Sequence, residues 1–273
     1  MRVLFWGTPA FALPALRALT GEGHLVVGVV TQPDRPAGRG RQLRMSPVKE
    51  LALSEGIPVL QPEHAGGDGF LAELRALEPE ISVVVAYGQI LRQEVLDLPP
   101  NGSMNIHASL LPELRGAAPV HWAIIRGLET TGVTIMRMEK GLDSGPILFQ
   151  VPEPIRASES ASDLGARLAE IGAEALIETL AVLELGEMEE VPQDEARATY
   201  APKVDRDTAR LDWQLPAEEL ARWIRGLDDA PGAWSLLGEE PVKLFCPSAE
   251  DGAGEPGEVL QADSSEGLLV AAG

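Results

Sequence analysis

Short apolar runs alternate with amphipathic segments along the first half of the chain. Continuous apolar runs are typical of strands buried on both faces of a parallel sheet, and apolar residues at helical spacing between them predict covering helices. The predicted strands are 2–7, 24–31, 58–62, 81–88 and 103–107. The predicted helices lie within 7–23, 46–56 and 69–79. This alternation predicts an N-terminal α/β domain built on a doubly wound, mostly parallel sheet.

The second half of the chain begins with the same alternation of strand-like and helical patterns, and the pattern then changes. Strand-like runs at 132–139 and 145–155 precede a predicted helix at 160–186, whose leucines recur at helical spacing and indicate a core-facing stripe. The following polar stretch shows little periodicity, which is typical of a linker. After a short predicted helix at 217–227, short strand-like runs separated by turns predict a small β-rich domain, interpreted as a barrel fragment.

Length and composition fit a globular protein with one large domain or two modest ones. The chain has 273 residues, of which 45% are hydrophobic and 23% charged. We expect an α/β domain at 1–188, a linker at 189–206 and the β-rich domain at 207–273. Cys246 is the single cysteine, which excludes an intrachain disulfide. The strongly apolar stretch 81–87 is far too short to span a membrane, so we expect a cytoplasmic protein without membrane contact.

The formal net charge of −20 argues against a polyanionic partner for the protein as a whole, because its field would repel one. One segment departs from this pattern. Between Asp34 and Lys49, Asp34 is the sole acidic residue, and the basic residues are Arg35, Arg39, Arg41, Arg44 and Lys49. This basic segment is either a solvated loop or a loop that contacts phosphates. Its glycines and prolines favour a mobile arm over a packed element.

Common cofactor motifs are missing. The first predicted strand is followed by "GTPAF", and not by the glycine-rich turn that dinucleotides require. The chain also lacks the G-x-x-x-x-G-K-[ST] phosphate loop. The four histidines, at positions 24, 64, 107 and 121, do not have metal-ligand spacing, so no metal site is expected.

Three polar residues form the candidate chemical site. Asn105 and His107 are two apart in a predicted strand, so their side chains share one face at its carboxyl end, where open α/β sheets bind ligands. Asp143 lies in "KGLDSG", a turn between two predicted strands. Asn and His can donate to a developing oxyanion, and Asp can orient the His or accept a proton. Since no serine or cysteine sits in a nucleophile elbow, acyl transfer here requires a nucleophile from the substrate.

Each of these residues also has a plainer explanation. An asparagine at a strand end commonly caps a turn, and a buried histidine commonly satisfies a backbone group. A D-S-G sequence is among the most frequent turn signals. The assignment therefore depends on the three residues acting together.

Four segments together resemble the methionyl-tRNA formyltransferases: "VVTQPDRPAGRGRQLRMSPVK", "VVVAYGQILRQEVL", "MNIHASLLPELRGAAPVHWAI" and "GVTIMRMEKGLDSGPIL". The N-x-H, S-L-L-P and G-x-D-[ST]-G elements mark the wider formyltransferase superfamily, and the arginine-rich loop and added β domain narrow the resemblance. It implies a Rossmann-like formyltransferase domain followed by an OB-like β-barrel. Family members continue beyond the equivalent of Gly273, so the resemblance implies a truncated barrel.

The resemblance implies transfer of a formyl group from 10-formyltetrahydrofolate to the α-amino group of methionine on initiator tRNA, as translation begins. Asp143 would accept a proton from the amine, and Asn105 and His107 would hold the oxyanion. Which group protonates the leaving N10 stays open. The family's other acceptors, namely a nucleotide, a sugar amine or water, are alternatives, as is a non-enzymatic nucleotide-binding module.

The resemblance also assigns binding residues by position. Ser109, Leu110, Leu111 and Pro112 would line the folate site, for which the plainer alternative is ordinary core packing. Ala86, Tyr87 and Gly88 would hold the pterin in an apolar slot through backbone hydrogen bonds. The basic residues at 35, 39, 41, 44 and 49 would neutralise phosphates of the tRNA acceptor stem. We expect the protein to act as a monomer.

Overall fold

The computed structural model describes residues 1–37, 42–265 and 267–273. Its contacts divide it into two compact units, each discontinuous in sequence. The first unit comprises Met1–Arg115, Gly132–Glu153 and Ala166–Thr199, and the second comprises Gly116–Thr131, Pro154–Gly165 and Tyr200–Gly273. The contiguous division into 1–188, 189–206 and 207–273 stays a prediction.

Strands and helices alternate as the hydrophobic pattern predicts. As far as residue 107 the elements are β1 (Arg2–Gly7), α1 (Leu13–Gly21), β2 (Leu25–Val30), β3 (Arg35–Ala37), β4 (Gln42–Arg44), α2 (Pro47–Ser54), β5 (Val59–Leu60), α3 (Asp68–Ala76), β6 (Ile81–Val85), α4 (Gln93–Leu96) and β7 (Ser103–His107). The elements that follow are α5 (Pro119–Ile125), β8 (Thr130–Arg137), β9 (Ile147–Pro154), α6 (Ala161–Glu184), α7 (Ala217–Gly226), β10 (Trp234–Leu237), β11 (Glu240–Lys243), β12 (Val259–Asp263) and β13 (Gly267–Val270). Short 3₁₀ turns lie at Ala10–Ala12 and Glu195–Arg197.

The main sheet has seven strands in the order β5-β2-β1-β6-β7-β8-β9. β1 pairs in parallel with β2 and β6, β2 with β5, and β6 with β7, whereas β8 is antiparallel to β7. The predicted doubly wound, mostly parallel sheet is therefore confirmed. Because β6 and β7 run in parallel, their carboxyl ends lie at the same edge of the sheet. β6 ends just before Ala86, and β7 ends at His107.

The core of the first unit follows the predicted stripes. Trp6 of β1 is fully buried, and its ring meets those of Phe70 and Tyr87 edge to face. On α6 the leucines Leu168, Leu176 and Leu180 are fully buried, as the helical spacing predicts. α2 begins where expected, since the Ser46 hydroxyl accepts a hydrogen bond from the main-chain N–H of Lys49.

The basic segment differs from its prediction. Instead of an arm without packed elements, it contains a hairpin in which β3 pairs with β4 in antiparallel register. Arg35 and Arg44 face each other as a cross-strand pair. Arg39 and Arg41 lie outside the described residues. The local alternation is too short, at three residues a strand, to have indicated this pairing.

The second unit is built around α5, α7 and two small sheets. The rings of Trp122 and Trp223 meet edge to face at 5.9 Å, and Leu227 and Ala233 are fully buried beside them. β10 pairs with β11, and β12 pairs with β13, both in antiparallel register. The predicted β-rich character is confirmed as two separate hairpins, and the strands described here do not close into a barrel. In the described part of the chain no helix combines the length and apolarity needed to cross a bilayer.

Candidate active site

Asn105 and His107 lie on one face of β7, as their spacing predicts. Both side chains are almost completely buried, with 9% and 5% of their surface exposed. In the pairing with β8, Asn105 stands opposite Met136 and His107 opposite Thr134. β7 is an interior strand of the sheet, and all five of its residues are buried. The sheet therefore presents an amide and an imidazole side by side at its carboxyl edge.

The two ring nitrogens of His107 have different partners. Nε2 lies 2.9 Å from the main-chain oxygen of Leu114. A carbonyl oxygen can only accept, so Nε2 carries the proton and donates it. Nδ1 faces the carboxylate of Asp143, with 3.8 Å between Nδ1 and Oδ2. Nδ1 is consequently the ring nitrogen that remains available to a substrate and to Asp143.

Asp143 occupies a tight turn between β8 and β9. Its φ of +49° places it in the left-handed region, which is uncommon for residues other than glycine and recurs at functional sites. A Cβ on the neighbouring Gly145 would lie 2.0 Å from the main-chain oxygen of Arg137, so only glycine fits there. The turn thus aims the carboxylate at His107 at some cost in backbone strain.

The amide of Asn105 has no hydrogen-bond partner among the described residues. The buried side-chain polar atoms without a partner in the described structure do not include those of Asn105, so this amide keeps access to solvent or to a ligand. An unpaired donor beside a histidine and a carboxylate is able to stabilise negative charge on a substrate oxygen. The three residues can therefore serve acyl transfer to a nucleophile that the substrate provides.

The loop after β7 is pinned by hydrogen bonds. The Thr134 hydroxyl donates to the main-chain oxygen of Ser109 at 2.6 Å and accepts from the N–H of Leu111 at 3.1 Å. The Gln150 amide donates to the Leu111 oxygen at 2.9 Å. Ser109 donates its own hydroxyl to the main-chain oxygen of Glu113, and its side chain is buried. The loop is a rigid wall next to Asn105 and His107.

Residues predicted to line the folate site differ in exposure. Leu110 is half-buried, whereas Ser109, Leu111 and Pro112 are buried. Leu110 packs against the face of β8 at Gly132, where a Cβ would approach its side chain to 2.6 Å. Of this set, Leu110 has the side chain with surface to offer a ligand, and the structure leaves the predicted role of the others untested.

At the end of β6, Ala86 and Gly88 are exposed and both have positive φ, +48° and +91°. The Tyr87 side chain between them points into the core and is 2% exposed. Its main-chain oxygen already accepts hydrogen bonds from the Thr8 hydroxyl at 2.9 Å and the Gln32 amide at 3.2 Å. Burial raises the pKa of the Tyr87 hydroxyl to about 12. The predicted pterin contacts at this position thus depend on the backbone of Ala86 and Gly88.

The basic residues do not share one environment. Arg35 and Arg44 are exposed on the hairpin, whereas Arg39 and Arg41 lie outside the described residues. The Lys49 ammonium is engaged, with Nζ 2.6 Å from Asp34 Oδ2 and 2.7 Å from Gln61 Oε1. The hydrogen bond from Lys49 lowers the pKa of the Asp34 carboxyl. Lys49 is therefore a weaker phosphate ligand than the sequence pattern suggests, although its role stays a prediction.

Several residues of the site carry no signal in the sequence. Thr134 and Gln150 hold the loop after β7, and the Thr199 hydroxyl oxygen accepts a hydrogen bond from the main-chain N–H of Leu114 at 2.9 Å. Arg115 is 2% exposed and bonded to Gln193 and Glu195. The pairing of β7 with β8 could have indicated Thr134. The contacts of Gln150, Thr199 and Arg115 join residues so far apart in sequence that no local pattern indicates them. In the described part of the chain, no three His, Cys, Asp or Glu side chains are grouped so that they could hold a metal ion.

Sequence comparison places this geometry in a family. The formyl transferase family model matches residues 1–180, and the model of the formyl transferase C-terminal domain matches residues 203–273. A methionyl-tRNA formyltransferase of Pseudomonas fluorescens is 50% identical over 273 residues, which cover all of this chain and 86% of the relative. A methionyl-tRNA formyltransferase of Chromobacterium violaceum is 50% identical over 274 residues, covering all of this chain and 88% of the relative.

Solved structures share the fold. HypX from Aquifex aeolicus in complex with tetrahydrofolic acid superposes with a TM-score of 0.71 at 23% identity, covering all of this chain and 42% of HypX. An N-formyltransferase from Helicobacter canadensis in complex with folinic acid and dTDP-3-aminofucose gives a TM-score of 0.70 at 15% identity, covering all of this chain and 96% of that enzyme. Together with the full-length match to relatives at 50% identity, these findings show that the chain belongs to the formyl transferase family, among its methionyl-tRNA formyltransferases.

Proposed function

We propose that this protein transfers the formyl group of 10-formyltetrahydrofolate to the α-amino group of methionine carried by initiator tRNA. The observation that carries the proposal is the approach of the Asp143 carboxylate to within 3.8 Å of His107 Nδ1, beside the unpaired amide of Asn105. Membership of the formyl transferase family indicates that the reaction at Asn105, His107 and Asp143 is formyl transfer.

The residues present fit the folate donor. Leu110 provides partly exposed apolar surface, and the left-handed backbone at Ala86 and Gly88 exposes main-chain groups at the neighbouring strand end. These features suit a flat, polar-edged ring, which needs an apolar wall and a few fixed hydrogen bonds. The donor supplies the formyl group, and Leu110, Ala86 and Gly88 would hold it. Ser109, Leu111, Pro112 and Tyr87 would shape the wall behind these contacts, since main-chain groups of all four are bonded within the protein.

Asn105 and His107 stabilise charge on the formyl oxygen. When the amine attacks the formyl carbon, negative charge develops on that oxygen, and the Asn105 N–H₂ group is free to donate to it. Nδ1 of His107 adds a second donor once it is protonated, while Nε2 stays bonded to Leu114. Preorganised donors of this kind typically contribute about 10²–10³ in rate each.

Asp143 handles the proton of the amine. An α-amino group has a pKa of ~7.7–8.0, so a large share is protonated at neutral pH and cannot attack. The carboxylate, held near Nδ1 of His107, accepts this proton directly or through the imidazole. His107 and Asp143 thus act as a pair on this proton.

The tRNA contact falls on the basic segment. Arg35 and Arg44 stand on one hairpin, and Arg39 and Arg41 lie between them in sequence. On a protein of net charge −20, this is the segment that attracts a phosphate backbone, with Lys49 contributing less because of its bond to Asp34. The proposal includes a monomeric enzyme in the cytoplasm without membrane contact, organised as a catalytic domain at 1–188, a linker at 189–206 and a β-rich domain at 207–273.

The direct test incubates the full chain with 10-formyltetrahydrofolate and methionine-charged initiator tRNA, and measures formylmethionine after hydrolysis of the ester. We expect product with the wild type and at least a ~10²-fold loss with Asp143→Asn, which keeps the shape of the side chain but removes its charge. Asp251→Asn, on an exposed carboxylate remote in sequence, is the matched control and should leave the rate unchanged. Formylation of free amines or sugar nucleotides, with none of the tRNA, would overturn the assignment.

A further inference from the structure

Gln193 lies in residues 191–199, which are part of the polar stretch that the sequence predicts to be a linker. In the structure this stretch is attached to the first unit along its length. Val191 and Ile147 exchange main-chain hydrogen bonds of 2.8 and 2.9 Å at the start of β9. At the other end, the N–H of Thr199 donates to the Pro112 oxygen at 3.3 Å. We call residues 191–199 the brace segment.

The Gln193 amide uses all of its hydrogen-bonding groups within the first unit. Nε2 donates to the main-chain oxygens of Asp143 and Gly145, at 2.9 and 2.7 Å. Oε1 accepts from Nε and Nη2 of Arg115, at 3.0 and 2.7 Å. Carbonyl oxygens only accept and a guanidinium only donates, so the orientation of the amide is unambiguous. This amide is a direct bridge between the Asp143 turn and Arg115.

On one side, the bridge holds the Asp143 turn. Residues 139–142 are exposed, and Asp143 adopts a left-handed backbone. The main-chain oxygens on either side of Ser144 both accept from Gln193. These two bonds fix the backbone of a strained turn at the residue that carries the carboxylate.

On the other side, the bridge reaches the loop that holds His107. Arg115 directly follows Leu114, whose main-chain oxygen accepts from His107 Nε2. The guanidinium is 2% exposed and also makes a fork to Glu195, with Nη1–Oε2 and Nη2–Oε1 distances of 2.9 and 2.7 Å. The main-chain N–H of Arg115 donates to the Thr199 oxygen at 2.8 Å. The brace segment therefore fixes both ends of the His107–Asp143 pair.

We infer that Gln193 is a positioning residue for the reaction: its amide sets the distance between the Asp143 carboxylate and the His107 imidazole. Its amide bonds to main-chain oxygens and to Arg115, and not to the Asp143 carboxylate or the His107 ring. The kinetic part of the test rests on the proposed function, whereas its exchange measurement does not.

Three full-length variants test this inference. Gln193→Glu keeps the acceptor for Arg115 and removes both donors to the Asp143 turn. Gln193→Leu keeps the approximate volume and removes the whole bridge. Gln93→Leu is the matched control, because Gln93 is exposed on α4 and bonds only to Asp97, four residues on, among the described residues.

We expect both Gln193 variants to lower kcat about 10- to 100-fold, with KM for folate and for tRNA changed less than ~3-fold, since small misplacements of catalytic groups act on kcat. The pH profile of kcat should also change shape, because the interaction between the imidazole and the carboxylate depends on their separation. In amide hydrogen exchange, protection should fall in residues 138–146, with Gln93→Leu matching the wild type throughout.

Wild-type kcat and pH profile in Gln193→Glu would overturn the inference, because that variant has lost both bonds to the Asp143 turn. A loss of activity that merely tracks the unfolded fraction, with unchanged exchange in 138–146, would also overturn it. If the wild type formylates no tRNA, the proposed function fails, and the exchange measurement alone then decides whether Gln193 holds the turn.

Discussion

The main-chain oxygen of Leu114 accepts a hydrogen bond from Nε2 of His107 at 2.9 Å. This contact decides which ring nitrogen takes part in chemistry, since it reserves one of them for the protein itself. Leu114 has a φ of +58°, and its own N–H is bonded to the Thr199 hydroxyl, so the oxygen is held by a strained but fixed backbone. The histidine is thus oriented by a loop that follows it in the sequence, and its Nδ1 is left facing Asp143.

Replacing His107 tests the role of this oriented ring. His107→Gln keeps a group that can donate to the Leu114 oxygen but removes the protonatable nitrogen that faces Asp143. We expect kcat for formyl transfer to fall by about 10²–10³, with little change in folate binding. The measurement is steady-state kinetics together with folate fluorescence titration. His64→Gln, at an exposed position, is the control, and an equal loss in both variants would contradict the assignment.

Asn105 should affect activity without affecting stability. Its amide makes no hydrogen bond to the described residues, and it is not among the polar groups that are cut off from solvent, so the fold does not depend on it. Asn105→Leu should therefore lower kcat by about 10²–10³ while leaving the free energy of unfolding nearly unchanged. Urea denaturation and kinetics on the same samples check this. The exposed Asn101→Leu serves as the control, and a marked loss of stability in Asn105→Leu would instead indicate a structural amide.

Tyr87 gives a prediction about pH. Burial raises the pKa of its hydroxyl from 10.0 to about 12. Because the folded-state pKa is the higher one, the tyrosine's contribution to stability is constant below pH 10 and is lost as pH rises from 10 towards 12. Its hydroxyl also lacks a partner in the described structure.

Tyr87→Phe should accordingly be more stable than the wild type by about 1 kcal/mol at pH 7, since an unpaired buried hydroxyl is removed. The difference should widen above pH 10, where the wild type alone must keep this buried hydroxyl protonated. Urea unfolding at pH 7 and pH ~10.5 measures both effects. Tyr200→Phe, on a ring that is 56% exposed, should show neither. A less stable Tyr87→Phe would mean that the hydroxyl has a bound partner.

The hairpin arginines should act on tRNA alone. Arg35 and Arg44 face each other across β3 and β4, and like charges in this arrangement repel. Replacing both with alanine should raise KM for tRNA about 10-fold or more and leave KM for folate unchanged. The slope of log affinity for tRNA against log salt concentration should fall by the amount that about two phosphate contacts contribute. The fold should not be weakened. Arg17→Ala, an exposed arginine on α1, is the control for charge alone, and equal effects on both substrates would remove the hairpin from tRNA binding.

Much of the sheet and its covering helices was predictable, because those elements repeat over short distances. Asn105 and His107 share a face since side chains alternate along any strand, and Ser46 begins α2 through contacts within four residues. The leucines of α6 are buried where their spacing indicated. Local regularities of this kind are read directly from residue order.

The features that the sequence did not indicate involve longer distances or shorter elements. The hairpin of Arg35 and Arg44 has strands too brief to show alternation. The Tyr87 ring packs against Trp6, from a strand that lies 81 positions earlier, and the role of its backbone in binding the pterin stays a prediction. The polar brace segment gave no periodic signal, because Gln193 acts through bonds to residues 48 to 78 positions away.

Residue order alone determined the strand and helix pattern, the face shared by the amide and the imidazole, and, through its motifs, the family. The tertiary structure decided the approach of Asp143 to His107, the proton on Nε2 and the bracing by Gln193. The physical reason is that alternation and helical spacing are properties of neighbouring residues. The distance between two side chains 36 positions apart depends instead on how the sheet and its loops pack.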